Sequence, residues 1–134
     1  GNVDFAPTIL KLAGLPVPGN MDGKDLMTVY DNPKSSLHKS LPLINVWGNA
    51  PTHCLGVVTE KIKYLYWGYA SEGFEVTEEL YDLEKDPSEM KNIYGDPAYA
   101  DVQQMMHNRF DEMREKYGDS DELDQQFIES YNNR

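Results

Sequence analysis

The run Glu79-Leu80-Tyr81-Asp82-Leu83-Glu84-Lys85-Asp86-Pro87-Ser88-Glu89-Met90-Lys91-Asn92-Ile93 leaves the backbone few choices. Thr77 to Asp82 reads as a short strand, and the acidic Asp86-Pro87 pair turns the chain out of it, because proline fixes its own φ and keeps its predecessor extended. A segment leading into a helix follows with little slack. The acids Asp82, Glu84, Asp86 and Glu89 superficially match a calcium loop, but Pro87 stands where such a loop requires glycine. Their role is read as structural.

The helix that this run leads into has clear ends. Asp96 is placed to cap it, Pro97 sits at its first position and Gly118 stops it. Tyr99, Val102, Met106, Phe110, Met113 and Tyr117 recur at steps of three and four, while Gln103, Gln104, His107, Asp111 and Glu115 point elsewhere. Burying each large side chain of that stripe contributes roughly 1.5–3 kcal/mol, so the helix at 97–117 is expected to pack on a sheet.

Upstream, strands are expected at 41–47, 55–59, 62–69 and 77–82. In the third, Ile62, Tyr64 and Tyr66 face one way and Lys63, Leu65 and Trp67 the other. Tight connections make the sheet antiparallel. The aromatic group Tyr64, Tyr66, Trp67 and Tyr69 is read as sheet core and rim in preference to a glycan platform. An earlier helix spans 4–13, with Asp4 as N-cap, Gly14 as stop and Phe5, Ile9 and Leu12 on one face that needs a partner surface. Phe127 and Tyr131 allow a short helix in the tail. The fold class is therefore α+β: a four-stranded antiparallel sheet with a long C-terminal amphipathic helix packed on it, preceded by one short helix.

Charge is uneven. The net −11 is concentrated after residue 71, where 18 acids meet 6 bases, while residues 33–71 are net +3. This disfavours a nucleic-acid partner, whose phosphates need Lys and Arg. A single cysteine, Cys54, cannot form an internal disulfide, and no apolar run is long enough to span a membrane.

The run at 79–93 closely resembles the ELYDLxxDPxExxN segment near the C-terminus of sulfatases. Val3-Asp4-Phe5-Ala6-Pro7-Thr8-Ile9-Leu10-Lys11-Leu12-Ala13-Gly14-Leu15-Pro16 resembles the VDxxPTxLxLAGxP element that precedes their C-terminal subdomain. Met21-Asp22-Gly23-Lys24-Asp25-Leu26 is similar to the family's xxGxxL segment. The resemblance implies that residues 1–40 are the tail end of a parent catalytic domain, the short helix being left over from its large α/β fold. Residues 41–134 are then the C-terminal subdomain, with sheet 41–83, helix 97–117 and acidic tail 118–134. The parent would hydrolyse sulfate esters, those of glycans among them, and be periplasmic or extracellular. A chain that opens without Met, almost inside a helix, is expected of a piece of a longer protein.

Sulfatases use a formylglycine made from the Cys or Ser of a CxPxR-type motif and a divalent cation, calcium. Cys54-Leu55-Gly56-Val57-Val58 lacks the Pro and Arg of that motif, so Cys54 is not the nucleophile. Asp31-Asn32 resembles a ligand pair but follows the VDxxPT element instead of preceding it, and reads as a turn. No catalytic residue, metal ligand or cofactor is therefore assigned to this chain; its partner is the rest of the parent, and through it a sulfated small molecule or glycan. One cluster stands out, His53 with Trp47 and Asn49, in the net-positive region and on a loop of the kind that can reach the substrate. The plainer reading is a surface histidine beside a packed cysteine. His38 and His107 are read as loop and helix-surface residues. Two alternatives stay open: the C-terminal part of a phosphonate monoester hydrolase or phosphodiesterase of the same superfamily, and a stand-alone binding module.

Overall fold

The structure is a computed structural model that describes residues 1–46, 53–68 and 75–132, and all of their side chains except those of Val46, Phe127, Ile128, Tyr131 and Asn132. Trp47, Asn49 and Tyr69 lie outside the described residues. The chain divides into two compact units, Gly1–Lys39 and Ser40–Arg134.

In the first unit a 3-10 turn, Asn2–Asp4, runs straight into α1, Phe5–Leu12, and a short helix α2, Met27–Asp31, follows. Asp4 departs from its expected role. It is already in helical conformation, and its side chain makes no capping bond to α1, accepting instead from the Gly1 nitrogen at the start of the 3-10 turn at 2.7 Å. Its fully buried carboxylate also accepts from the Lys24 amide at 2.7 Å and lies 2.8 Å from His38 Nε2. Burial alone would push this carboxyl up. Hydrogen bonds from the Gly1 nitrogen, the Lys24 amide and His38 outweigh it and hold the carboxyl below its ordinary range. Thr8 extends the arrangement: its hydroxyl donates to the Asp4 carbonyl at 2.6 Å and accepts from the Leu26 amide at 2.8 Å. The VDxxPT residues thus tie the segments around 24–26 and 38 to α1. Gly23 is part of the tie, since a Cβ there would fall 1.9 Å from the Val3 carbonyl oxygen. Gly14, at φ +71°, ends the helix as expected. Phe5, Ile9 and Leu12 stand 56–67 % exposed.

The second unit is a meander. Strands β1 (Leu41–Val46), β2 (His53–Val58), β3 (Ile62–Gly68) and β4 (Thr77–Asp82) pair antiparallel in the order β1-β2-β3-β4. The second strand starts two residues earlier than its composition predicts, which brings His53 into the ladder opposite Gly68. Helix α3, Ala100–Tyr117, follows a 3-10 turn at Pro97–Tyr99, whose cap is Asp96 accepting from the Ala98 amide at 2.9 Å. Gly118 closes α3 in the left-handed region, at φ +69°. Helix α4, Asp121–Asn132, completes the unit. The core is Leu55, Val57, Tyr64, Leu80, Ile93, Met106 and Phe110, with Tyr66, Tyr99 and Met113 packed against it. The helical stripe is thereby confirmed for Tyr99, Met106, Phe110 and Met113, whereas Val102 is only half-buried and Tyr117 is 47 % exposed.

The 79–93 run is held by three side chains. Asp82 Oδ1 accepts from the amides of Glu84 and Lys85, and Asp86 Oδ2 from that of Lys91 at 2.8 Å. Asn92 then lies along β4, its Oδ1 accepting from the Leu80 amide at 3.0 Å and its Nδ2 donating to the Glu78 carbonyl at 3.1 Å. The Ile93 amide donates to the Leu80 carbonyl at 2.9 Å, so the chain after the turn continues the sheet's hydrogen bonding before it enters the helix.

Candidate functional site

Of the three residues singled out from sequence, the structure describes His53, and it corrects the surface reading. His53 is 4 % exposed, because it points to the side of the sheet that carries α3 and α4. The absence of a side chain at Gly68 makes this possible: a Cβ there would lie 2.4 Å from the imidazole. His53 Nε2 faces Asp124 Oδ1 of α4 at 3.5 Å. That carboxylate accepts from Arg114 Nη2 of α3 at 3.0 Å, and the same guanidinium reaches Asp119 at 2.8 Å and Asp121 at 2.6 Å. Phe110 packs its ring 5.7 Å from the Arg114 guanidinium.

Desolvation dominates the electrostatics here. Burial pushes the Asp124 carboxyl up, with Asp119 and Asp121 adding to it, against the pull of His53 and Arg114. Burial also pushes Tyr66 up, aided by Asp124 and Asp121. The three acids keep Arg114 protonated despite its partial burial. The arrangement fixes the tail helix over the sheet and holds His53 between β3 and α4. Nothing in the local pattern around residue 53 announces this, since Asp124 and Arg114 are far away in sequence.

A second polar cluster escaped the sequence reading altogether. Glu78 accepts hydrogen bonds from the hydroxyls of Tyr64 and Tyr94, the latter at 2.6 Å, and lies 3.1 Å from His107 Nε2. His107 is thus half-buried, not a helix-surface residue, and its ring meets the edge of Tyr64 with centroids 4.9 Å apart. Burial, then the Glu78 carboxylate, pushes Tyr94 up to about 12 and moves Tyr64 in the same direction.

Neither cluster resembles a nucleophile with its base. Cys54 is buried, and burial pushes its thiol up, away from the reactive thiolate. Among the described residues no group of three or more His, Cys, Asp or Glu is arranged to hold a metal ion. No helix among them is long and apolar enough to cross a membrane.

A four-stranded meander carrying one long helix, entered through a VDxxPT element and closed by ELYDLxxDPxExxN, is the C-terminal domain of a sulfatase. The chain belongs to the family of N-sulphoglucosamine sulphohydrolase C-terminal domains, whose model matches residues 1–116. Arg114 falls inside the matched residues, and the three aspartates it binds fall outside them. The chain is 29 % identical over 126 residues to an N-acetylglucosamine-6-O-sulfatase of Bacteroides thetaiotaomicron, covering 90 % of this chain and 22 % of that protein. It is 32 % identical over 95 residues to human arylsulfatase K, covering 68 % of this chain and 18 % of that one. A protein solved in complex with its substrate D-glucosamine-2-N,6-O-disulfate superposes with a TM-score of 0.75 at 30 % identity, over 90 % of this chain and 25 % of its own.

Proposed function

We propose that this chain is the C-terminal part of a longer sulfatase that hydrolyses sulfate esters of sulfated glycans. The observation that carries the reading is the family match over residues 1–116 in a chain that spans only 22 % of the N-acetylglucosamine-6-O-sulfatase it resembles. Residues 1–40 are then the tail end of the catalytic domain, and residues 41–134 the subdomain that completes the fold. The exposure of Phe5, Ile9 and Leu12 supports this, since an apolar helical face of that size calls for a covering surface.

A formylglycine and a calcium ion would supply the nucleophile and the charge balance at sulfur. The described residues do not fit either group: Cys54 is buried outside any CxPxR motif, and the described carboxylates form no ligand set. Both belong to the remainder of the parent. Of the three candidates for facing the substrate, Trp47 and Asn49 remain; His53, 4 % exposed, can act only by positioning its neighbours.

The test is to express the full-length protein encoded by the gene and assay sulfate release from N-acetylglucosamine 6-sulfate. Release, together with a CxPxR or SxPxR motif upstream of Val3, is the expected result. A gene whose start codon lies just ahead of Val3, or a full-length product that cleaves phosphonate esters and leaves sulfate esters intact, would overturn it. Substituting His53→Ala in the same protein is expected to raise KM more than it lowers kcat.

A further inference from the structure

Helix α3 packs over β2 and β3 and leaves the same face of the edge strand β1 open, where Ile44 is 66 % exposed. Between the start of β1 and α3 lies an open cavity of about 190 Å³. Pro42, Val57 and Met113 give it apolar walls, and Ser40 contributes a hydroxyl. Arg109 and Lys116 line it from the helix. They are two turns apart and so share one side of α3. Lys116 Nζ donates to the Tyr117 hydroxyl at 3.1 Å and stands over that ring, which keeps a cation and a half-exposed aromatic together in the cavity lining.

Arg109 is the informative member. Its Nε is fully enclosed, yet among the described residues no hydrogen bond or ion pair reaches Arg109. That is unusual in a chain with 23 acidic residues, because an enclosed donor left without an acceptor is costly and native structures seldom keep one without a reason. Glu112 also lines the cavity, but it is exposed and makes no ion pair with Arg109. Arg109 Nε itself is out of a ligand's reach, but the residue lines the groove beside Lys116, so two cations and the Glu112 carboxylate border it.

We infer that this groove is a binding site for the sulfate group of a sulfated saccharide, with Arg109 as its principal donor. A guanidinium offers parallel N–H groups that match two oxygens of one oxyanion, which an ammonium does not. Lys116 supplies the second charge, Ser40 a hydroxyl, and Tyr117 with Pro42 an apolar side against which a sugar ring packs. The site is separate from the His53 end of the sheet, and its residues belong to one compact unit, Ser40–Arg134. The choice of a sulfated saccharide as its ligand rests on the proposed sulfatase function.

The test follows the Arg109 Nε–Hε resonance by NMR in the isotope-labelled chain during titration with N-acetylglucosamine 6-sulfate, N-acetylglucosamine and inorganic sulfate. A saturable shift with the sulfated sugar, roughly tenfold weaker with inorganic sulfate and absent with the unsulfated sugar, is expected. Lys116→Gln, an exposed substitution that leaves the core untouched, should weaken the binding several-fold, and Arg109→Gln should abolish it. An Arg109 resonance unmoved by the sulfated sugar would overturn the inference, as would an equal response to either control. Sulfate release by the full-length protein alongside an unmoved Arg109 sinks the groove and leaves the sulfatase reading intact. A shifting Arg109 in a protein that releases no sulfate does the reverse.

Discussion

The imidazole of His53 fills the space that a side chain at its cross-strand partner Gly68 would need. Replacing a strand glycine with alanine ordinarily stabilises, by reducing the freedom of the unfolded chain. At position 68 the sign reverses, because the new Cβ would start 2.4 Å from a buried ring. Gly68→Ala is expected to cost about 1–3 kcal/mol in urea unfolding. The double variant with His53→Ala should recover most of that loss. Additive losses in the two variants would show that the ring and position 68 do not compete for space.

Asn92 substitutes for a neighbouring strand along part of β4, through its bonds to the Leu80 amide and the Glu78 carbonyl. Because Asn92 is exposed, water can replace part of what its removal leaves open. Asn92→Ala should therefore cost only about 1 kcal/mol. Asn92→Asp keeps the acceptor and loses the donor, so its cost should fall between zero and that of the alanine variant. Equal losses in the two would assign the stabilisation to the Nδ2 bond alone.

The Glu78 cluster makes stability sensitive to alkali. The Tyr94 phenol is raised from 10.0 to about 12 by burial and by the Glu78 carboxylate, so below pH 10 its contribution is fully present. Between pH 10 and about 12 the unfolded chain releases a proton that the folded chain keeps, and stability falls. Tyr64 is raised by the same two causes and adds to the fall. Glu78→Gln removes the charge and should make the decline of melting temperature above pH 10 shallower. An unchanged slope would mean that burial alone sets these phenols.

Arg114 joins α3 to the tail through three aspartates of unequal worth. Asp121 is 92 % exposed at its side chain and contributes little, whereas Asp124 is 21 % exposed and also faces His53. Arg114→Met should therefore free α4, raising amide hydrogen exchange across residues 121–130 by an opening free energy of about 1–3 kcal/mol while β2 and β3 stay protected. Asp121→Asn should leave exchange nearly unchanged. Uniform loss of protection through the sheet would show that the tail is integral to the core.

The pattern of residues 41–117 made most of this architecture readable. Alternation in Ile62–Gly68, the Asp86-Pro87 turn and the spacing of Met106 and Phe110 are local signals, and each element formed close to where its residues call for it. The failures were all matters of long-range pairing. Asp4 has the chemistry of an N-cap, yet its carboxylate serves Lys24 and His38 instead. His53 looks like a surface residue in the sequence because what buries it, a helix with a weak apolar pattern, arrives about 70 residues later. Glu78, on a strand rich in charge, gives no hint that two tyrosines and a histidine converge on it. The unmet donor of Arg109 is likewise invisible until the groove around it exists.

The order β1-β2-β3-β4 has a bearing on assembly as well as architecture. Every strand pairs with its immediate neighbour in the chain, so each hairpin closes a short loop and the sheet can form progressively as the polypeptide emerges during synthesis. Only later does α3 arrive to cover it, and the Arg114 contacts to the tail come last. Changes within the hairpins, such as Val57→Ala, should therefore slow refolding, and loss of the Arg114 contacts should instead hasten unfolding. Stopped-flow refolding of the two variants would separate the early events from the late ones.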